Sequence, residues 1–161
     1  MTGKRIVQRG LYFEEFDEDA TYVHSPSRTV TETDNVLFTT LTMNTQSLHL
    51  DAEWASRTEF GERLINSMFT LSTMVGSSVA QLTQGTIVAN LGFTDVSFPH
   101  PLRAGDTMTS ETRVLSKRLS NSRPGQGIVE LEHVAHNQHG DVVARAVRST
   151  LVLCTPGEGS V

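Results

Sequence analysis

Residues 67–84 constrain this chain most. Met68, Leu71, Met74, Val75, Val79 and Leu82 recur at helical spacing with small residues between them, and no Asp or Glu interrupts the run. Ser67 is suited to cap its start and Gly85 to stop it. Beyond Gly85 the character changes to four short runs rich in β-formers, 86–93, 106–116, 127–136 and 142–154. Each boundary holds the Gly or Pro that a tight turn needs: Phe98-Pro99-His100-Pro101, Arg103-Ala104-Gly105-Asp106, Ser122-Arg123-Pro124-Gly125 and Gln138-His139-Gly140-Asp141. One apolar helix followed by four strands predicts an α+β domain, with a meander of antiparallel strands curled around the helix and burying it almost all round.

Upstream the pattern is weaker. Phe13, Phe16 and Tyr22 are spread through an acidic segment, and residues 24–30 alternate as a first strand would. A short helix is expected over 31–43, opened by capping Thr and Asp residues, with Val36, Leu37, Thr40 and Leu41 as its apolar face. Asp51 can cap a second short helix through Thr58 that carries Ala52, Trp54 and Ala55, and Gly61 turns the chain. Between these helices lies a polar loop. With 161 residues the chain suits one domain over 1–161, ordered over about 12–154, with 155–161 as a frayed tail.

Composition narrows the function. The net charge is -5 with Lys and Arg scattered, which argues against a nucleic-acid-binding face. The absence of an apolar run near membrane-spanning length, and of an apolar stretch after the N-terminus, leads to the expectation of a cytoplasmic protein without a membrane partner. A single cysteine, Cys154, excludes a disulfide framework or a cysteine-based zinc site and reads as a buried structural thiol. His133, His136 and His139 have a spacing that invites a metal, yet the first two fall on opposite faces of a strand and no carboxylate or Cys completes the set. With no glycine-rich phosphate loop or dinucleotide fingerprint either, no metal or other cofactor is expected.

The chemistry concentrates in Thr42-Met43-Asn44-Thr45-Gln46-Ser47-Leu48-His49-Leu50-Asp51, where amides, hydroxyls and an imidazole crowd one loop. This segment resembles the hydratase motif of MaoC-like proteins and (R)-specific enoyl-CoA hydratases, in which an Asp precedes a His by five positions with an Asn and a Pro between. His49 matches the catalytic His. Asn44 stands in place of the family's Asp, Gln46 in place of its Asn and Ser47 in place of its Pro. Phe60-Gly61 matches the family's Phe-Gly pair, Asn66-Ser67-Met68 takes the place of a His-Gly-Met that opens the central helix, and Leu102-Arg103-Ala104-Gly105-Asp106 is similar to its turn before a long strand. The likeness runs over roughly residues 20 to 153 and is nearest to the mesaconyl-CoA hydratase branch, also called beta-methylmalyl-CoA dehydratase. It implies a hot-dog fold and the addition or removal of water on a coenzyme A thioester.

Hydration of an enoyl thioester needs a base for water, an acid for the α carbon and donors for the enolate oxygen. His49 is the motif's only base near neutral pH. Asn44 can orient water or substrate but cannot carry a proton. The resemblance therefore implies His49 and Asn44 as catalytic residues and Gln46, Ser47, Asn66, Ser67 and Met68 as the substrate-binding set, with the backbone N–H groups around Ser67 and Met68 as the oxyanion site. Each has a plainer role open to it: Asn44 and Gln46 as loop hydrogen-bonders, Asn66 and Ser67 as a helix cap. Arg113, Lys117, Arg118 and Arg123 could meet the phosphates of coenzyme A or simply form a solvated strand edge. Two other readings compete: a thioesterase, disfavoured by the lack of a carboxylate on the long helix, and a non-catalytic acyl-CoA-binding protein, favoured by Asn44. A curled sheet with a free edge predicts a homodimer or an assembly of dimers.

Overall fold

A computed structural model describes residue 3 and residues 5–157. Four helices precede or flank a six-stranded antiparallel sheet: α1 (Glu32–Leu41), α2 (Ser47–Leu50), α3 (Ala52–Ala55) and α4 (Ser67–Leu82), with β1 (Thr21–Val23), β2 (Arg28–Thr29), β3 (Ile87–Ser97), β4 (Thr107–Leu119), β5 (Gln126–His136) and β6 (Val142–Leu153). The strand order is β1-β4-β5-β6-β3, with β2 also on β4. The sheet curls round one face of α4, the hot-dog arrangement that the sequence pattern predicts.

Several expectations change in detail. Of the first strand expected over 24–30 only β2 at Arg28–Thr29 forms, because Pro26 has no N–H to give a ladder, and β1 lies upstream at Thr21–Val23. Only β4, β5 and β6 form a meander. β3 crosses over to the far side of β6, so its other edge has no partner among the described residues. The helix is covered on one side rather than all round: Thr70, Met74, Ser78 and Leu82 are buried against the sheet, while Met68, Ser72, Gly76 and Ala80 face out. Cys154 is only half-buried, because it lies just past the end of β6. Residues 155–157 follow as exposed coil, and 158–161 of the expected tail lie outside the described residues.

Order begins earlier than expected. Gly10 N–H bonds to the Gln84 carbonyl at 2.7 Å and Leu11 N–H to that of Leu82 at 3.0 Å, so the N-terminal segment closes the C-terminal end of α4. A Cβ on Gly10 would meet the Thr83 backbone nitrogen at 2.5 Å, which is why no side chain fits there.

Two apolar clusters fill the space between α4 and the sheet. One gathers Phe69, Met74, Met108, Ala135 and Ala144, the other Phe16, Leu82, Val114, Leu131 and Val152. A polar chain is also buried there. His24 Nδ1 lies 2.8 Å from Gln81 Oε1, His24 Nε2 lies 2.7 Å from Thr112 Oγ1, and Thr112 Oγ1 lies 2.8 Å from His133 Nδ1. The Gln81 oxygen only accepts, so His24 Nδ1 carries hydrogen, Thr112 donates to His24 Nε2, and His133 donates to Thr112 through Nδ1. His133 Nε2 is left as a buried lone pair with no partner among the described residues. Burial first, then the charge of Arg148 and the neighbouring His24, holds the His133 pKa down to about 3.

This neutral ring sets a pH dependence. In the unfolded chain His133 takes up a proton near its ordinary value of about 6.5, while the native ring does so only near 3. The unfolded state therefore binds more protons between these limits, and stability falls as the pH drops through that window by roughly 1 kcal/mol per pH unit. Burial lowers the His24 pKa too, which adds in the same direction. Urea midpoints should decline from pH 6.5 to pH 5, above the range where carboxylates titrate, and the decline should shrink in His133→Phe. A flat wild-type stability across that interval would show that the native core accepts the proton.

Candidate active site

His49 sits on α2, a single helical turn within the segment expected to be a loop. Its formation has a local cause. Asn44 Oδ1 accepts from Gln46 N–H at 3.0 Å, turning the chain just after Met43, whose φ of 57° is in the left-handed region. His49 N–H then bonds to the Gln46 carbonyl and Asp51 N–H to that of Ser47. Asp51 caps α3 as expected, its side chain accepting from Trp54 N–H at 2.9 Å.

The His49 imidazole is held by the backbone carbonyl of Leu64, 2.9 Å from Nδ1. A carbonyl can only accept, so Nδ1 carries hydrogen and Nε2 keeps its lone pair, the tautomer a general base needs. The same carbonyl accepts from Asn35 Nδ2 at 3.0 Å, and that amide also reaches the His49 carbonyl at 3.1 Å. Asn35 Oδ1 in turn accepts from Asn66 N–H at 2.9 Å. One side chain on α1, 1% exposed, thus ties together α2, the Leu64 segment and the start of α4.

Asn35 is hidden in the sequence because the apolar residues of α1 suggest a buried face that the helix does not have. The buried residues of that helix are Asn35 and Thr39, whereas Val36, Leu37 and Leu41 are exposed at 38%, 58% and 74%. Polar residues face inward because α1 covers backbone groups of α2 and of the α4 N-terminus, which need partners once buried. The available signal was the pair Asn35 and Thr39, four apart on one helical face.

At the start of α4 the cap is Asn66 rather than Ser67. Asn66 is buried, and its Oδ1 accepts from Met68 N–H at 2.9 Å. Ser67 is the first helical residue, and its N–H has no partner among the described residues. Of the expected oxyanion donors, Met68 N–H is therefore engaged and Ser67 N–H is free.

A cavity of about 420 Å³ lies against these elements, lined among others by His49, Phe60, Ser67, Thr70, Phe98 and His100. Of the seven expected site residues, the structure brings His49 and Ser67 to this cavity. Asn44 and Gln46 stand in the turn before α2, Ser47 is the first residue of α2, Asn66 lies beneath the start of α4, and Met68 is 47% exposed, all five outside the lining of the cavity. His100 was read only as part of a turn. A larger hollow of about 560 Å³ runs along the outer side of α4 beside Phe38 and Phe69, where the one charged group, Arg28, is paired with Asp34.

The four expected phosphate-binding cations do not form one patch. Arg113 is bound to the buried Glu132, which Arg145 also holds, and Lys117 reaches the Phe16 carbonyl at 2.5 Å, while Arg118 and Arg123 are exposed. Burial pushes the Glu132 carboxyl up, but the hydrogen bonds and charges of Arg113 and Arg145 together outweigh it and keep the group below the ordinary carboxylate range. Among the described residues no group of three or more His, Cys, Asp or Glu side chains is placed to hold a metal ion.

Comparison with known proteins connects this geometry to a family. The chain is 29% identical to beta-methylmalyl-CoA dehydratase of Chloroflexus aurantiacus over 143 residues, 89% of this chain and 40% of that protein. It is 30% identical to the (R)-specific enoyl-CoA hydratase of Rhodospirillum rubrum over 106 residues, 64% of this chain and 69% of that one. The chain thus spans less than half the length of the first of these relatives. Among solved structures, the monoamine oxidase regulatory protein of Archaeoglobus fulgius superposes with a TM-score of 0.83 at 32% identity, over 94% of this chain and 100% of that one. A Mycobacterium tuberculosis protein described as a double hotdogfold matches with a TM-score of 0.82 at 20% identity, over 94% of this chain and 47% of that one, a likeness of fold alone. The MaoC like domain family matches residues 15–137, and the chain belongs to that family.

Proposed function

We propose that this chain is a hydro-lyase that adds water to, or removes it from, the double bond of an enoyl-CoA thioester. The observation that carries this reading is His49, whose Nδ1–H is anchored on the Leu64 carbonyl so that Nε2 keeps its lone pair in a ring lining the cavity. In hydration that nitrogen takes the proton from water as the oxygen bonds to the β carbon. The free Ser67 N–H, at the positive end of α4, receives the negative charge that develops on the thioester oxygen. Asn44, Gln46, Ser47, Asn66 and Met68 serve as positioning residues: the first three shape the turn that carries His49, and Asn66 with Met68 forms the first turn of α4.

The relatives named as a beta-methylmalyl-CoA dehydratase and an enoyl-CoA hydratase support a coenzyme A thioester as the substrate. A short, branched or dicarboxylic acyl group, of the mesaconyl-CoA kind, is our choice within that class. The whole chain acts as one domain in the cytoplasm. It works as a homodimer formed along β3, which has an unpaired edge and exposes Leu91 at 52% and Val88, Phe93 and Val96 at 37 to 39%.

A panel of enoyl-CoA thioesters, followed both by loss of the enoyl-thioester absorbance and by thiol release, tests the reading. Absorbance loss without free thiol is the expected result. Thiol release would indicate a thioesterase. Tight binding with neither change would indicate a carrier that works without the carboxylate replaced by Asn44.

A further inference from the structure

His100 is the second titratable side chain that lines the cavity with His49. It lies in Phe98-Pro99-His100-Pro101, where two prolines restrict the backbone on either side. Its N–H and its Nδ1 both lie 3.2 Å from the Val142 carbonyl at the start of β6. As with His49, a carbonyl at Nδ1 requires hydrogen on that atom and leaves Nε2 for chemistry. The two rings thus reach one cavity from different parts of the fold, each held by a backbone carbonyl.

Resting on the hydratase reading above, we propose that His100 is a second catalytic residue, the proton donor to the substrate's α carbon, doing the work for which Asn44 has no proton. The step balances as follows. His49 Nε2 removes a proton from water, the water oxygen bonds to the β carbon, and the π pair moves toward the α carbon and the thioester oxygen. The α carbon then takes the Nε2 proton of His100, which enters the step as the imidazolium and leaves it neutral with hydrogen still on Nδ1. His49 ends with one proton more and His100 with one fewer; once product has left, His49 gives its proton to solvent water and the exposed His100 takes one up, so both return to their starting states. The charged groups nearby are already paired: Arg103 with Glu62 at 2.5 Å, Arg63 with Glu32, and Asp141 with Asn137 at 3.0 Å. None of their side chains lines the cavity, so the imidazoles are the proton carriers in reach of a substrate there.

The test compares wild type, His100→Gln and His100→Ala with the thioester that wild type hydrates best, across pH, with circular dichroism as the folding control. The variants should fold, since His100 is exposed and its backbone N–H keeps the Val142 contact. The expected result is a fall in kcat on the order of 10 to 10² with KM within about threefold, as for loss of one proton carrier. The alkaline limb of the pH profile, where the donor has lost its proton, should disappear in both variants while the acidic limb remains. Added imidazole should restore part of the kcat of His100→Ala. A change confined to KM would make His100 a binding group and overturn the proposal, as would unchanged kcat and an unchanged alkaline limb. A wild type silent on every enoyl thioester would overturn the hydratase reading and the His100 role together, whereas full turnover in His100→Gln overturns the His100 role alone.

Discussion

Replacing His49 by Ala is expected to lower kcat by on the order of 10² to 10⁴ while coenzyme A thioesters still bind and the protein stays folded. The size follows from removing the general base that activates water. The selectivity for kcat follows from the packing. His49 is half-buried, and the Leu64 carbonyl that anchors its ring also accepts from Asn35 Nδ2 at 3.0 Å, so the substitution leaves no buried carbonyl without a partner. Steady-state kinetics with isothermal titration of a substrate analogue and a thermal melt would separate the three effects. Activity unchanged in this variant would remove the ground for assigning hydration to this cavity.

The largest loss of stability in the site region is expected from Asn35→Ala. The side chain is 1% exposed and serves the His49 carbonyl, the Leu64 carbonyl and Asn66 N–H. Leu64 keeps His49 Nδ1, but the other two groups lose a buried partner at about 1–3 kcal/mol each. A total of about 2–6 kcal/mol corresponds to a fall in Tm on the order of 10 °C for a domain of this size. Activity should fall with it even at temperatures where the variant is folded, because α2 and the α4 N-terminus lose their common tie. A Tm within about 2 °C of wild type would show that water or a neighbouring side chain replaces the amide without cost.

These two residues differ in how far they can be read from the chain alone. His49 stands out because it follows Asn44 by five positions in a segment of amides and hydroxyls, and its resemblance to the MaoC-like motif lies in a contiguous stretch. Asn35 and His100 carry no such local mark. An Asn within a short helix and a His between two prolines have many uses, and what distinguishes them is contact with residues far along the chain: Asn35 with Leu64 and Asn66, His100 with Val142.

By itself the sequence determined that one apolar helix over 67–84 meets a sheet of antiparallel strands, that the strands turn near the Gly and Pro clusters, and that His49 is the base to examine. The helix, strands and turns depend on side-chain periodicity and on backbone restrictions within a few residues, whereas His49 is marked by the family motif that its segment resembles. Only the tertiary structure decided that β3 leaves the meander for the outer side of β6, that α1 turns Asn35 and Thr39 inward and its apolar residues outward, that Asn66 rather than Ser67 caps α4, and that His100 joins His49 at one cavity. Each of these is settled by which buried backbone groups from distant segments need a hydrogen-bond partner, a demand that exists only once the chain has closed on itself.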